Sequence, residues 1–163
     1  MRILGVDPGY ERLGLAILDG DGRGGGTLVW SGCTRTSPKA PHPERLAAIF
    51  DSVAATIAEH RPSLVVVEKL FFSVNAKTAL LVAEARGAIL AAAAKAGVAI
   101  DEPSPQEVKL AVSGYGASDK VSVEKMVRLL VPGLREDALD DEVDAVAVGL
   151  AGLARAKLAA RIA

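Results

Sequence analysis

Two short apolar runs that each stop on a carboxylate constrain this chain more than any other feature. The first is Ile3-Leu4-Gly5-Val6, which closes on Asp7. The second is Leu64-Val65-Val66-Val67, which closes on Glu68. A continuous apolar run of this length between helices is the pattern of a strand buried on both faces, as in parallel sheets. An acid at the end of such a strand is costly unless it is hydrogen-bonded, paired or bound to a cation. Pro8-Gly9 follows Asp7, so Asp7 alone reads either as a turn cap or as a ligand. The second acid, at the same place on another strand, points to a shared pocket.

Around these runs the chain divides into a regular succession of elements. A second apolar run at 13–18 makes a hairpin with the first strand, and 20–26 (GDGRGGG) is a flexible connection. A third strand is predicted at 27–36, ended by the prolines at 38, 41 and 43. Apolar residues at 46, 49, 50, 53 and 57 predict a helix over 44–60. His42 and His60 flank it in loop or helix-end roles, without ligand-spaced partners. After the strand at 64–67 comes a connection with two adjacent aromatics, 69–75 (KLFFSVN). A long helix over 76–97 is apolar on nearly every side, which places it in the core or at a subunit interface. A short strand over 98–100 precedes Ser104-Pro105-Gln106-Glu107, a well-formed helix start with Ser as cap, Pro first and Glu third. Gly114-Tyr115-Gly116 marks a turn, Ser118 caps a helix to Leu130, and Asp137 caps the last helix. Three antiparallel strands, then alternating helices and parallel strands, resemble the ribonuclease H-like (retroviral integrase superfamily) class. The expected fold is therefore α/β, a mixed five-stranded sheet with helices on both faces, in a single domain over 1–163.

Composition narrows the alternatives. Half the residues are hydrophobic and only 4% aromatic, so the core is built from Ala, Val, Leu and Ile. The net charge of −1 gives no sign of a purely electrostatic nucleic-acid binder, although a local basic surface is compatible with it. No window has the apolar length of a membrane span, and the N-terminus lacks a signal peptide's apolar region. The lone Cys33 reads as a core residue, and a cytoplasmic protein is the expectation.

The last helix opens DALDDEVDAVAVGLA. Asp141 and Asp144 lie three apart and share a face, as do Asp140 and Asp144, four apart. Acids in a first helical turn favour the positive end of the dipole. That accounts for Asp140 but poorly for Asp144, which heads a buried stripe. Acids from two strand ends and one helix, without a Cys or His cluster, suit a hard oxygen-loving cation such as Mg²⁺. Two such ions about 4 Å apart can clamp the attacking water and leaving oxygen of a phosphodiester. GDGRGGG lacks the Lys-Ser/Thr of a phosphate loop, which favours nuclease chemistry over nucleotide hydrolysis. Lys69, Lys77 and Arg86 surround Glu68 in sequence, and Lys109, Lys120, Lys125 and Arg128 lie further on; together they form candidate phosphate contacts. Phe71 and Phe72 follow the second acid closely enough for one of them to stack on an unpaired base.

The ordered series GVDPG at 5–9, SGCTRT at 31–36, VVVEKLFFSVNAKTAL at 65–80, EARGAIL at 84–90, VKLAVSGYGASDK at 108–120, MVRLL at 126–130 and DEVDAVAVGLA at 141–151 resembles RuvC-type Holliday junction resolvases along nearly the whole chain. The resemblance implies that Asp7, Glu68, Asp141 and Asp144 are the metal-binding catalytic acids, with Asp141 preferred over Asp140. It implies that Phe71 inserts at the junction, that Lys109 and Lys120 act on phosphates, and that Lys69, Phe72, Asn75, Lys77 and Arg86 belong to the DNA surface. It further implies two Mg²⁺ per subunit (Mn²⁺ as a substitute), a homodimer touching through the helix 76–97, and paired nicks of four-way junction DNA with 5′-phosphate and 3′-hydroxyl ends. Partners implied are the RuvA and RuvB branch-migration proteins. Lys69 and Glu107 depart from the usual family residues and change the charge there. The alternatives are a related nuclease acting on RNA, an actin-like ATPase domain, or a non-catalytic junction-binding module.

Overall fold

The computed structural model describes residues 1–70 and 76–162, the side chains of residues 76 and 77 excepted. Phe71, Phe72 and Asn75 therefore lie outside the described residues, as does the side chain of Lys77. The strands are β1 (Arg2–Asp7), β2 (Arg12–Gly20), β3 (Gly26–Arg35), β4 (Leu64–Val67) and β5 (Ala99–Asp101). The helices are α1 (His42–His60), α2 (Ala76–Lys95), α3 (Pro105–Ser113), α4 (Lys120–Leu130) and α5 (Asp140–Ile162). The sheet order is β3-β2-β1-β4-β5, with β1-β2 and β2-β3 antiparallel and β1-β4 and β4-β5 parallel. This is the mixed five-stranded, ribonuclease H-like arrangement expected from the sequence.

Side chains alternate between the two faces of a strand, and the core divides accordingly. Ile3, Ala16, Leu18 and Val66 meet α3, α4 and α5 on one face. Leu4, Val6, Leu13, Leu15, Ile17, Val65 and Val67 meet α1 and α2 on the other. The parity places Asp7, two residues beyond Gly5 and four beyond Ile3, on the α5 face. Glu68, two beyond Val66, falls on the same face. Because β1 and β4 pair in parallel with Val6 beside Val67, the two acids leave the sheet side by side.

Helix α5 reaches β1 and β2 so closely because glycines line the contact. A Cβ on Gly5 would stand 2.3 Å from the Ala145 carbonyl oxygen, and one on Gly14 only 1.9 Å from that of Asp141. Gly14 is also the cross-strand partner of Asp7. The first turn of α5 thus sits at the level of the first strand's terminal acid.

Several sequence expectations shift. The cap of α4 is Asp119, whose carboxylate accepts the Ser122 N–H, while Ser118 closes the preceding turn by donating to the Tyr115 carbonyl. Helix α5 starts at Asp140, after Asp137, whose side chain is exposed. Glu142 reaches back to accept the Leu139 N–H instead. Helix α2 buries one face, through Ala85, Ile89, Ala92 and Ala93, and leaves Leu80 exposed. Of the two roles open to this helix, the core takes only that face. Cys33 is only half-buried, because β3 is an edge strand. The cap of α3 is as anticipated: Ser104 accepts the Glu107 N–H and the Glu107 carboxylate accepts the Ser104 N–H.

Candidate active site

A cavity of about 240 Å³ opens where the ends of β1 and β4 meet the starts of α3, α4 and α5. Asp7, Glu68 and Asp144 line it together with Lys109 and Lys120, over an apolar floor that includes Val108, Val123 and Val148. The parallel strands supply two acids, and the third comes from the second turn of α5. Lys120, at the first position of α4, donates to Asp144 Oδ2 at 2.9 Å.

The electrostatics of this cavity are those of crowded like charges. Burial, then the charges of Asp144, Glu68 and Asp141, push the Asp7 carboxyl from its ordinary 3.8 up to about 7. Burial and Asp144 raise Glu68, against an opposing pull from Lys109. Asp144 is raised by burial, with Lys120 acting the other way. Among the described residues, Asp7 has no hydrogen-bond or ion-pair partner. A carboxylate in that position is costly in its charged form.

Asp141 lies beside the cavity, over β2 and β3. Its side chain is 13% exposed and pairs with Arg12, whose Nε stands 3.0 Å from Oδ2. The Cys33 thiol lies 3.9 Å from the same oxygen. Its neighbour Asp140 is turned out to solvent. Glu142, on the other side of Asp141, is 2% exposed and anchored: Ser31 Oγ donates to it at 2.7 Å and Arg135 at 3.1 Å. Among the described residues, no three His, Cys, Asp or Glu side chains converge on one point as metal ligands. Asp141 leans towards Arg12 and Asp144 towards Lys120. The donor set nevertheless fits a hard cation: every candidate donor is a carboxylate oxygen, and three share one cavity in which each disfavours the others' charge.

The remaining candidates separate by place. Lys69 is exposed just beyond Glu68, its N–H bonded to the Pro103 carbonyl. Arg86 turns inward, donating to the Glu68 carbonyl at 3.2 Å and pairing with Glu102, so it braces the strand end that carries an acid. Glu107 is committed to the α3 cap and to Arg155. His42 meets the Tyr10 hydroxyl and Glu84 at the head of α1, and His60 stacks on Trp30 at its foot. Arg12, Cys33 and Glu142 were not among the sequence candidates. The usable signal was strand parity, since Arg12 shares a face with Gly14, Ala16 and Leu18. The contacts Arg12–Asp141, Cys33–Asp141 and Ser31–Glu142, however, each join residues more than a hundred positions apart.

Known proteins resemble this chain along most of its length. The family profile described as Crossover junction endodeoxyribonuclease RuvC matches residues 3–152. This chain belongs to the RuvC family. The Crossover junction endodeoxyribonuclease RuvC of Heliobacterium modesticaldum is 43% identical over 150 residues, covering 92% of either chain. The Thermus thermophilus RuvC structure superimposes with a TM-score of 0.88 at 34% identity, covering 98% of this chain and 97% of that one. The Thermus thermophilus RuvC in complex with Holliday junction substrate gives 0.90 at 34% identity, covering 98% and 96%. RuvC-family nucleases are metal-dependent. Among the described residues of this RuvC-family chain, no helix is long and apolar enough to cross a membrane.

Proposed function

We propose that this chain is a Holliday junction-resolving endonuclease, a single-domain subunit of a homodimer that nicks two opposed strands symmetrically. The observation that carries the reading is the cavity in which acids from β1, β4 and α5 meet two lysines. Family membership supplies the junction as substrate.

Asp7, Glu68, Asp141 and Asp144 would hold two Mg²⁺, with Mn²⁺ as a substitute. The ions when bound would supply Lewis-acid stabilisation of the phosphodiester and a water acidic enough to attack at neutral pH. The chain's own residues do the rest. Lys109, raised on α3 beside Glu68, and Lys120, at the head of α4, present ammonium groups to phosphate oxygens at the cavity rim. Val108, Val123 and Val148 keep the floor apolar, which strengthens every charge interaction above it. Arg86 braces the backbone that holds Glu68. Phe71, beside Phe72 and Asn75 in the connection that follows the acid, would stack on a base freed at the crossover. Lys69 and Lys77 would add phosphate contacts. Water attack with departure of the 3′ oxygen leaves 5′-phosphate and 3′-hydroxyl ends. The exposed side of α2, with Leu80, would meet its copy in the dimer. RuvA and RuvB would deliver the junction by branch migration, in the cytoplasm, within recombination and repair.

The test is cleavage of a synthetic four-way junction beside a linear duplex of the same sequence, in Mg²⁺. Paired nicks in the junction alone, abolished by Asp7→Asn without loss of junction binding, are expected. Equal cutting of the duplex would discard structural selectivity, and cutting by the Asp7→Asn protein would discard the role of Asp7.

A further inference from the structure

Arg12 stands outside the cavity yet addresses one of the acids of the proposed site. Its Nε lies 3.0 Å from Asp141 Oδ2, and the Cys33 thiol lies 3.9 Å from that same oxygen. Both groups rise from the β2–β3 side of the sheet. Oδ1 has no partner among the described residues. The carboxylate is therefore held by one oxygen and left with the other free.

We infer that Arg12 is a positioning residue that fixes the Asp141 carboxylate by its Oδ2 edge and so presets Oδ1 for a divalent cation. This inference rests on the reading of Asp141 as a metal ligand. Outer partners that orient a ligating carboxylate commonly govern metal affinity by about 10- to 100-fold. The alternative is that Asp141 serves Arg12. Arg12 pairs directly across the sheet with Arg35, and like charges directly opposite are unfavourable. A carboxylate placed over them would relieve that repulsion with no bearing on metal. The two roles differ in what moves when Arg12 is removed. Positioning moves metal affinity, whereas charge relief moves stability.

The experiment uses the full chain without DNA, with Mn²⁺ binding followed by electron paramagnetic resonance. Arg12→Ala, Arg12→Gln and Asp141→Asn are compared with the parent, and each is also melted and titrated with four-way junction in Ca²⁺. We expect Arg12→Ala to weaken Mn²⁺ binding about 10- to 100-fold. Melting temperature and junction affinity should stay near the parent's. Arg12→Gln, which keeps one donor and the apolar stem, should recover part of the loss. Unchanged Mn²⁺ affinity in both Arg12 variants, with Asp141→Asn weakened, would overturn the positioning role and leave the metal reading intact. Unchanged affinity in Asp141→Asn as well would overturn the reading of Asp141 itself. Tighter Mn²⁺ binding in Arg12→Ala would show competition instead of positioning. Weaker junction binding with unaltered Mn²⁺ affinity would make Arg12 a phosphate contact.

Discussion

Gly14 leaves less room beneath α5 than Gly5 does, and a single methyl group there should separate folding from catalysis. In Gly14→Ala the new Cβ would lie 1.9 Å from the Asp141 carbonyl oxygen and 2.6 Å from its carbon. Carbon and carbonyl oxygen rest at about 3.3 Å or more, so strand and helix must part by roughly 1.4 Å. The atoms to be moved are backbone, and no side chain can swing aside. Overpacking of this kind costs about 1–3 kcal/mol. For a chain of this size that lowers the melting temperature by roughly 2–12 °C. The helix start that must yield carries Asp141 and Asp144, and Gly14 pairs with Asp7 on the strand beneath. A displacement of about 1 Å at a reacting centre can cost about 100-fold in rate. Junction nicking by Gly14→Ala, assayed well below its melting temperature, should therefore fall about 100-fold while the protein stays folded. Gly133→Ala, where a Cβ meets nothing within 4 Å, is the control and should be silent. A Gly14→Ala protein that nicks at the parental rate would refute the claim that this contact sets the spacing of the acids.

Two further outcomes follow from the charges. The folded Asp7 carboxyl titrates near 7 instead of 3.8, so between those values the folded state holds a proton that the unfolded chain has released. Its contribution to stability is full below about pH 4 and is lost as pH rises through about 7. The loss is at most about 4 kcal/mol, at about 1.4 kcal/mol per pH unit. Metal-free protein should accordingly melt lower at pH 8 than at pH 5.5, and Asp7→Asn should melt higher than the parent at pH 8. Parallel melting curves for the two proteins would show that Asp7 is not the strained group. Glu142→Ala should lower stability by about 1–3 kcal/mol, because Ser31 loses its acceptor and Arg135 its anchored partner. Asp140→Ala, at an exposed position, should change little, and equal melting of the two variants would mean that Glu142 does not pin the helix.

Much of the fold was legible because it is written locally. The apolar runs before Asp7 and Glu68, the Ser104 cap and the helical spacing over 46–57 each involve neighbours in sequence. Strand parity then places the two strand acids on one face. What sequence could not supply is the partner of a charged side chain in a distant element. Arg12 meets Asp141 only once α5 is laid over β2, and Glu142 meets Ser31 only once α5 reaches β3. The start of α5 moved from Asp137 to Asp140 for a related reason. The helix begins where Glu142 can take the Leu139 N–H, and that choice depends on Glu142 being drawn inward. The long helix α2 marks a limit of another kind: its apolar composition suits a core or an interface, and only the three-dimensional packing distinguishes the face that is covered.

The central strand of this sheet, β1, is made well before α5, the helix that covers the face carrying Asp7 and Glu68. Residues 7 and 144 leave the ribosome 137 positions apart, which at 5–20 residues per second is roughly 7–27 s. During that interval β1 and β2 have no α5 to close over Gly5 and Gly14, and the acids at the strand ends have no counterpart. On the proposed reading, a nascent chain that still lacks α5 would have no assembled site with which to cut DNA. On that reading of these acids, the site is completed only when α5 closes over the sheet.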